Sequence, residues 1–345
     1  MRGSTTLLVA VLAAATWLGS SAGADEPGFP VAPDLPEPSR QFDFWVGEWD
    51  VNLRTIQEDG SWKDTIAAEA RIYPILEGKA VLELWDSQPI KGFSLRYFDP
   101  DEENWVLWLN WPGPDRSGSS SLEGSFRHGR GEFTSTRTDP EGNEILQVYT
   151  FSDVTPTSLR WDDAYSKDGG RTWSRQWIMK FSRTADVPTL APGGGEEHTF
   201  ETGARCGLDA FRPYETLAGA HAGTVETAGV VEAIRLTGYR VLDGCAVLLF
   251  LEWDGGERFA HLTYNTFASR YELLELDARP ETPARILYGA ARGGDIVFVA
   301  GEEGARTRVT LGVEAGERSW LEEAESAGGW AAVWDARFEG DGGDR

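Results

Sequence analysis

Histidine, cysteine and basic side chains are all scarce in this chain. Four histidines and two cysteines in 345 residues leave few groups for a metal centre or for base catalysis at neutral pH. Lysine and arginine total 32 against 56 acids, a formal net charge of −24. A surface so acidic repels phosphate backbones and anionic bilayers, so nucleic acid is not an expected partner. The acids are dispersed rather than blocked, as on the solvent faces of strands and turns, and colloidal solubility is their plain reading. Beyond the amino terminus no run is apolar enough to cross a bilayer, so stable membrane insertion is not expected. No nucleophile elbow, P-loop, dinucleotide fingerprint or zinc spacing occurs, and Gly293-Gly294 reads as a turn. No cofactor is expected.

Residues 1–24 have the form of a secretory signal: Arg2, an apolar core from Leu7 to Leu18, then Ala22-Gly23-Ala24. A retained anchor is the alternative. Removing the segment takes away one base and no acid, so the exported chain carries 31 − 56 = −25. A secreted or periplasmic location is therefore expected. There, Cys206 and Cys245 are expected to form a disulfide, with two free thiols or a metal pair as alternatives.

The chain repeats itself. Leu76-Glu77-Gly78-Lys79-Ala80-Val81-Leu82 returns 166 positions later as Leu242-Asp243-Gly244-Cys245-Ala246-Val247-Leu248. Leu95-Arg96-Tyr97 answers Leu262-Thr263-Tyr264, Leu122-Glu123-Gly124 answers Leu287-Tyr288-Gly289, and Trp177 and Phe181 answer Trp334 and Phe338. Offsets of 166, 167, 165 and 157 drift only as loop insertions allow, so two copies of one domain are expected. The division is a Pro-rich linker over 25–40, copy one over 41–183, a Gly-rich linker over 184–207 and copy two over 208–340.

Within each copy the period is two. Trp105, Leu107, Leu109 and Trp111 fall on one face of a strand, and Trp108 and Asn110 on the other. Turn signals such as Asp59-Gly60, Asp99-Pro100 and Asp254-Gly255-Gly256 recur every eight to fifteen residues. No long amphipathic helical pattern appears. Nine or ten short strands per copy suit a sheet closed on itself, which removes exposed edges. The expected fold is all-β, two tandem antiparallel barrels, with a sandwich as the alternative.

Phe42-Asp43-Phe44-Trp45-Val46-Gly47-Glu48-Trp49-Asp50-Val51 contains the G-x-W pattern of a first barrel strand. With L-E-G-x-A-V-L and the late Asp168-Gly169-Gly170-Arg171-Thr172-Trp173, the chain resembles secreted bacterial lipocalin-like (calycin-type) domains of a family without assigned function. The resemblance covers most of both copies, the second more faintly. It implies that Trp49 plugs one barrel end and that an Arg late in the last strand, here Arg183, covers it by cation–π contact. Copy two departs from the pattern by placing His221 where Trp49 would stand. Nitrobindins, relatives of the barrel, hold haem through a His near the last strand. Here the last strands, Trp177 to Phe181 and Trp334 to Phe338, contain none, so haem is disfavoured. Ser166 to Trp173 also fits a sialidase Asp-box, but propellers need several, so it reads as a hairpin device.

Tryptophan is abundant where other special residues are not: ten stand in copy one and four in copy two. Core packing accounts for some, and an aromatic pocket for others. The expected partner is a small apolar ligand held in a barrel mouth. Candidate lining residues are Trp49, Trp85, Tyr97, Trp108, Trp161 and Trp177 in copy one. In copy two they are His221, His261, Tyr264, Asn265, Trp320 and Trp334. Which of these point inward is left open, because a one-residue slip exchanges the faces. One alternative is an enzyme using His221, His261 and Tyr264, with Glu252 or Glu322 as neighbours, for acid–base work on an apolar substrate. The other is a structural or partner-binding protein with filled barrels.

Overall fold

A computed structural model describes residues 37–339 except 88–89, 112–118, 140, 186–205, 280–281 and 315–316. The signal, most of the first linker, nearly all of the second (His198 included) and the carboxyl-terminal tail lie outside the described residues. The chain forms two closed antiparallel barrels in tandem, ten strands each. The first comprises β1 (Gly47–Ile56), β2 (Trp62–Ile75), β3 (Ala80–Asp86), β4 (Lys91–Asp99) and β5 (Asn104–Asn110). It continues with β6 (Ser119–Arg127), β7 (Arg130–Thr138), β8 (Glu144–Ser152), β9 (Ser158–Ser166) and β10 (Ser174–Ala185). The second comprises β11 (Gly219–Thr227), β12 (Val230–Val241), β13 (Ala246–Trp253), β14 (Gly256–Asn265) and β15 (Arg270–Asp277). Its remaining strands are β16 (Arg285–Arg292), β17 (Asp295–Ala300), β18 (Thr307–Glu314), β19 (Glu317–Ser326) and β20 (Gly329–Glu339). Each strand pairs with its sequence neighbours, and the last returns to the first. Closure removes the edges that a ten-stranded open sheet would expose.

One end of the first barrel is plugged as the resemblance implies. Phe42 and the short 3-10 segment that follows it, Asp43–Trp45, enter the barrel, where Trp45 meets Trp49 and Phe181 and Phe42 packs on Trp105, Phe133 and Phe151. Trp49 Nε1 donates to the Trp45 carbonyl at 2.9 Å, and the Arg183 guanidinium lies 4.1 Å from the centre of the Trp49 ring. Arg183 also donates to the carbonyls of Phe44 and Val46. Gly47 permits this arrangement: its φ is +146°, and a Cβ there would stand 2.0 Å from Arg183 Nη1.

Barrel two is plugged differently. Trp49 pairs with Ala70, ten residues before Ala80, and His221 pairs with Leu236, ten before Ala246. His221 therefore does occupy the Trp49 position. It is buried, and its Nε2 lies 2.9 Å from the Ala218 carbonyl. Phe211 and Leu217, from Asp209–Phe211 and α1 (Pro213–Leu217), fill that end. Cys206 and Cys245 are disulfide-bonded, tying this plug to the start of β13.

The same register corrects one repeat assignment. Ala80 pairs with Tyr97, and Ala246 with Thr263. The offset across this hairpin thus stays at 166, and Leu95 answers His261 rather than Leu262. One residue decides the face. Leu95 and His261 point outward from their barrels, while Arg96 and Leu262 point in.

Those outward faces bury each other. Leu82, Phe93, Leu95, Tyr97 and Trp108 of barrel one share a core with Leu248, Phe250 and Phe259 of barrel two. Phe93 stacks on His261 with ring centres 4.2 Å apart and on Phe259 at 6.5 Å. Phe93 and Phe259 are equivalent positions, so the contact is a pseudo-twofold one. At its rim Lys79 Nζ donates to the carbonyls of Asp277 (2.7 Å), Thr282 (2.8 Å) and Arg279. Lys91 pairs with Asp243 at 3.0 Å.

Candidate functional site

Alternation along the strands sends a second set of side chains into barrel one. They surround a cavity of about 260 Å³ in the half of the barrel away from the plug. Trp45, Arg96 and Phe181 form its floor. Leu107, Leu109, Met179 and Trp161 line the middle, and Trp85, Trp111 and Trp177 the far end. Trp177 is 37% exposed, so this end reaches solvent. Trp85 and Trp111 meet edge to face at 5.4 Å, as do Tyr149 and Trp161 at 4.6 Å. Gly92 makes room for Trp111, because a Cβ there would lie 2.2 Å from the indole.

Polar groups stand at two places on this apolar wall. At the floor, Arg96 Nη2 meets Glu83 Oε2 at 2.9 Å, and Ser94 Oγ donates to the same oxygen at 2.6 Å. Arg96 Nη1 donates to Ser94 Oγ at 2.8 Å. The guanidinium also lies 4.9 Å from the Trp45 ring centre and 5.6 Å from that of Phe151. Both Arg96 terminal nitrogens, the Ser94 hydroxyl and Glu83 Oε2 thus find partners, as burial of an ion pair requires, while Arg96 Nε has no hydrogen-bond partner among the described residues. Towards the open end stands Asp163, 8% exposed, with Gln147 Nε2 at 3.2 Å from Oδ1. Burial raises the carboxyl above the ordinary range, against smaller opposing effects of Gln147 and Arg137. Burial also raises the neighbouring Tyr149 phenol.

Of the sequence candidates, Trp85, Trp161 and Trp177 line this cavity. Trp49 points inward but belongs to the plug. Tyr97 and Trp108 face the other way, into the core between the barrels, because the inward positions of β4 and β5 are Ser94, Arg96, Leu107 and Leu109. In barrel two, Trp320 and Trp334 point inward and meet edge to face at 6.0 Å. Tyr264 packs on Phe211 and Tyr271 at the plugged end. Asn265 Nδ2 donates to Glu272 at 2.9 Å while its carbonyl accepts from Ala268 N, which makes it a turn device.

The two histidines of the acid–base alternative, His221 and His261, do not come together. His221 points into barrel two, whereas His261 points outward against Phe93. Desolvation takes His261 down to about 3, so it is neutral at ordinary pH. Glu322 is inside, but its partners are Arg258 at 3.2 Å and Arg285. Among the described residues no cluster of three His, Cys, Asp or Glu could hold a metal ion. The Ser166–Trp173 segment is the β9–β10 hairpin. There Asp168 accepts from Thr172 N (2.9 Å) and Thr172 Oγ1 (2.7 Å), which hold its carboxyl down at about 2.

Sequence reasoning passed over Glu83, Ser94, Arg96, Gln147, Tyr149 and Asp163. A signal for Arg96 was present: an arginine inside an alternating strand, two positions from Ser94 and across the hairpin from Glu83.

No family model matches the chain, and no curated protein matches it. Among solved structures, a protein of unknown function from the DUF3598 family of Nostoc punctiforme PCC 73102 aligns over 88% of this chain and 99% of its own. Its identity is 9% and the TM-score 0.27. Kievitone hydratase from Nectria haematococca aligns over 91% of this chain and 98% of its own, at 7% identity and a TM-score of 0.17. Likenesses this low carry no argument about activity, so the cavity itself has to.

Proposed function

We propose that this is an exported two-barrel protein, with domains at 41–183 and 208–340, whose first barrel binds a small, largely apolar or aromatic ligand. The carrying observation is the cavity of about 260 Å³ ringed by Trp85, Trp111, Trp161 and Trp177. Burial of a ligand's apolar surface there would contribute about 25 cal/mol per Å². Indole and phenol rings offer flat faces that favour a planar ligand. The second barrel acts as a brace through the Phe93–His261–Phe259 stack. The disulfide suits an oxidising compartment. The testing experiment is a panel of apolar ligands read by tryptophan fluorescence and melting temperature, together with mass spectrometry of molecules that co-purify. A panel that leaves both signals unmoved contradicts the reading.

A second reading, an enzyme acting on an apolar substrate, draws support from Asp163 rather than from the histidines. Its carboxyl keeps its proton to higher pH than an exposed aspartate and faces the cavity, as a general acid must. This reading requires conversion of a co-purified molecule by the native protein and loss of that conversion in Asp163→Asn.

A further inference from the structure

The two barrels place a carboxylate and an indole at the same point and then treat them differently. In barrel one Asp163 pairs with Trp177, and the ladder slips between Arg175 and Trp177. In barrel two Glu322 pairs with Trp334, and the ladder slips between Glu322 and Glu323. The shared slip makes Asp163 the counterpart of Glu322 and Trp177 that of Trp334.

In barrel two the carboxylate and indole hold a cation. Arg258 lies 3.2 Å from Glu322, and its guanidinium carbon is 4.8 Å from the Trp334 ring centre. Arg285 binds the same carboxylate. Barrel one has neither arginine. Arg258 pairs with Leu251, five residues after Ala246, and Gly92 pairs with Trp85, five after Ala80. Gly92 is therefore the Arg258 counterpart. Arg285 pairs with Glu275, which pairs in turn with Ala260; Ser120 pairs with Leu109, which pairs with Ser94. Ser120 is thus the Arg285 counterpart.

Among the described residues no cation lies within ion-pair distance of Asp163, whose hydrogen-bond partner is the neutral Gln147. Deeper in the cavity, Arg96 and Glu83 cancel each other. An ionised Asp163 then leaves the cavity lining at −1, with Arg137 acting only beyond ion-pair distance, in an apolar setting where a charge without a close partner is costly.

We propose that the barrel-one cavity takes an organic monocation, an amine carried on an aromatic ring, with its ammonium between Asp163 and the Trp177 indole and its ring against Trp85 and Trp161. This rests on the apolar-ligand reading above and names the ligand class. Carboxylate and ring face together are what such a cation requires. The volume equals roughly nine waters, which suits a single-ring amine. The directions agree with this: burial raises the Asp163 carboxyl in spite of the more distant Arg137, whereas the paired Arg285 and Arg258 lower that of Glu322 against its own burial.

The test titrates the full exported chain with phenethylamine and with phenylethanol, its uncharged near-isostere, by calorimetry. At pH 7 the amine should bind roughly tenfold or more tighter, and in Asp163→Asn that ratio should fall to about one. In the unaltered protein the amine's affinity should drop as acid protonates Asp163, while the alcohol's stays level. The groups facing Asp163 are Gln147 and Tyr149 on β8, Arg137 on β7 and Glu83 with Arg96 below, while Asp162, next in the chain, turns outward to Arg160 and Arg175. Glu83 is the other carboxylate of the cavity, and a drop that persists in Asp163→Asn assigns the effect to Glu83 and overturns the inference. Equal affinities for the two probes overturn it while leaving the apolar-ligand reading in place. Binding of neither probe overturns both.

Discussion

Replacing Arg96 by Leu should unfold barrel one far more easily than replacing Arg96 and Glu83 together. Arg96 is 4% exposed, and its head group is the cation within 2.9 Å of the buried Glu83 carboxylate. Removing it leaves that carboxylate uncompensated, at a cost of about 3–5 kcal/mol. Loss of the cation–π contacts with Trp45 and Phe151 adds roughly 1 kcal/mol. The double variant removes the stranded charge as well. Barrel two already contains that solution: Glu83 answers Leu249 and Arg96 answers Leu262, both fully buried. Glu83→Leu with Arg96→Leu should therefore fall within about 1–2 kcal/mol of the parent. Urea unfolding followed by tryptophan fluorescence reports chiefly on barrel one, which holds ten of the fifteen tryptophans. A double variant as unstable as the sum of the two single ones would refute the reasoning, since it would mean that the groups do not compensate each other.

Three further outcomes are expected. Replacing both cysteines by Ala releases a loop with a sequence separation of 39 and should cost barrel two up to about 4 kcal/mol, read as a lowered urea midpoint. His261 titrates at about 3 when folded against 6.5 when free. The unfolded chain therefore takes up a proton that the native one refuses, and stability should fall as pH drops below 6.5, by roughly 2 kcal/mol at pH 5. His261→Leu, which restores the Leu95 solution, should flatten that part of the profile; an unchanged slope assigns it elsewhere. Gly47→Ala forces a Cβ into Arg183 at a φ of +146°. It should destabilise by about 1–3 kcal/mol and change the emission of Trp49 as the guanidinium leaves its face.

Much of this architecture could be read before any coordinates. A period of two, regular turn signals and the repeat were enough for two closed sheets. The G-x-W context placed Arg183 over Trp49 and set His221 at the Trp49 position of copy two, although that histidine reads from the sequence as a lining residue. The candidate site was harder, because inward and outward faces of these strands are both apolar. Tyr97 and Trp108 look as much like pocket residues as Trp85 does, yet they are buried by the other barrel. Asp163 is hidden for a related reason. It follows Asp162, an outward acid paired with Arg175 at 2.6 Å and Arg160 at 3.3 Å. Nothing in Trp161-Asp162-Asp163 says which carboxylate turns in. Register decides that, and register depends on partners far along the chain.

The central claim is that the interior of barrel one, and not that of barrel two, receives the ligand. Fluorine NMR of fluorotryptophan-labelled protein, titrated with phenethylamine, tests it most directly. The account predicts that the resonances of Trp85, Trp161 and Trp177 move while those of Trp320 and Trp334 stay in place. Movement confined to Trp320 and Trp334, or to none of the five, would contradict it.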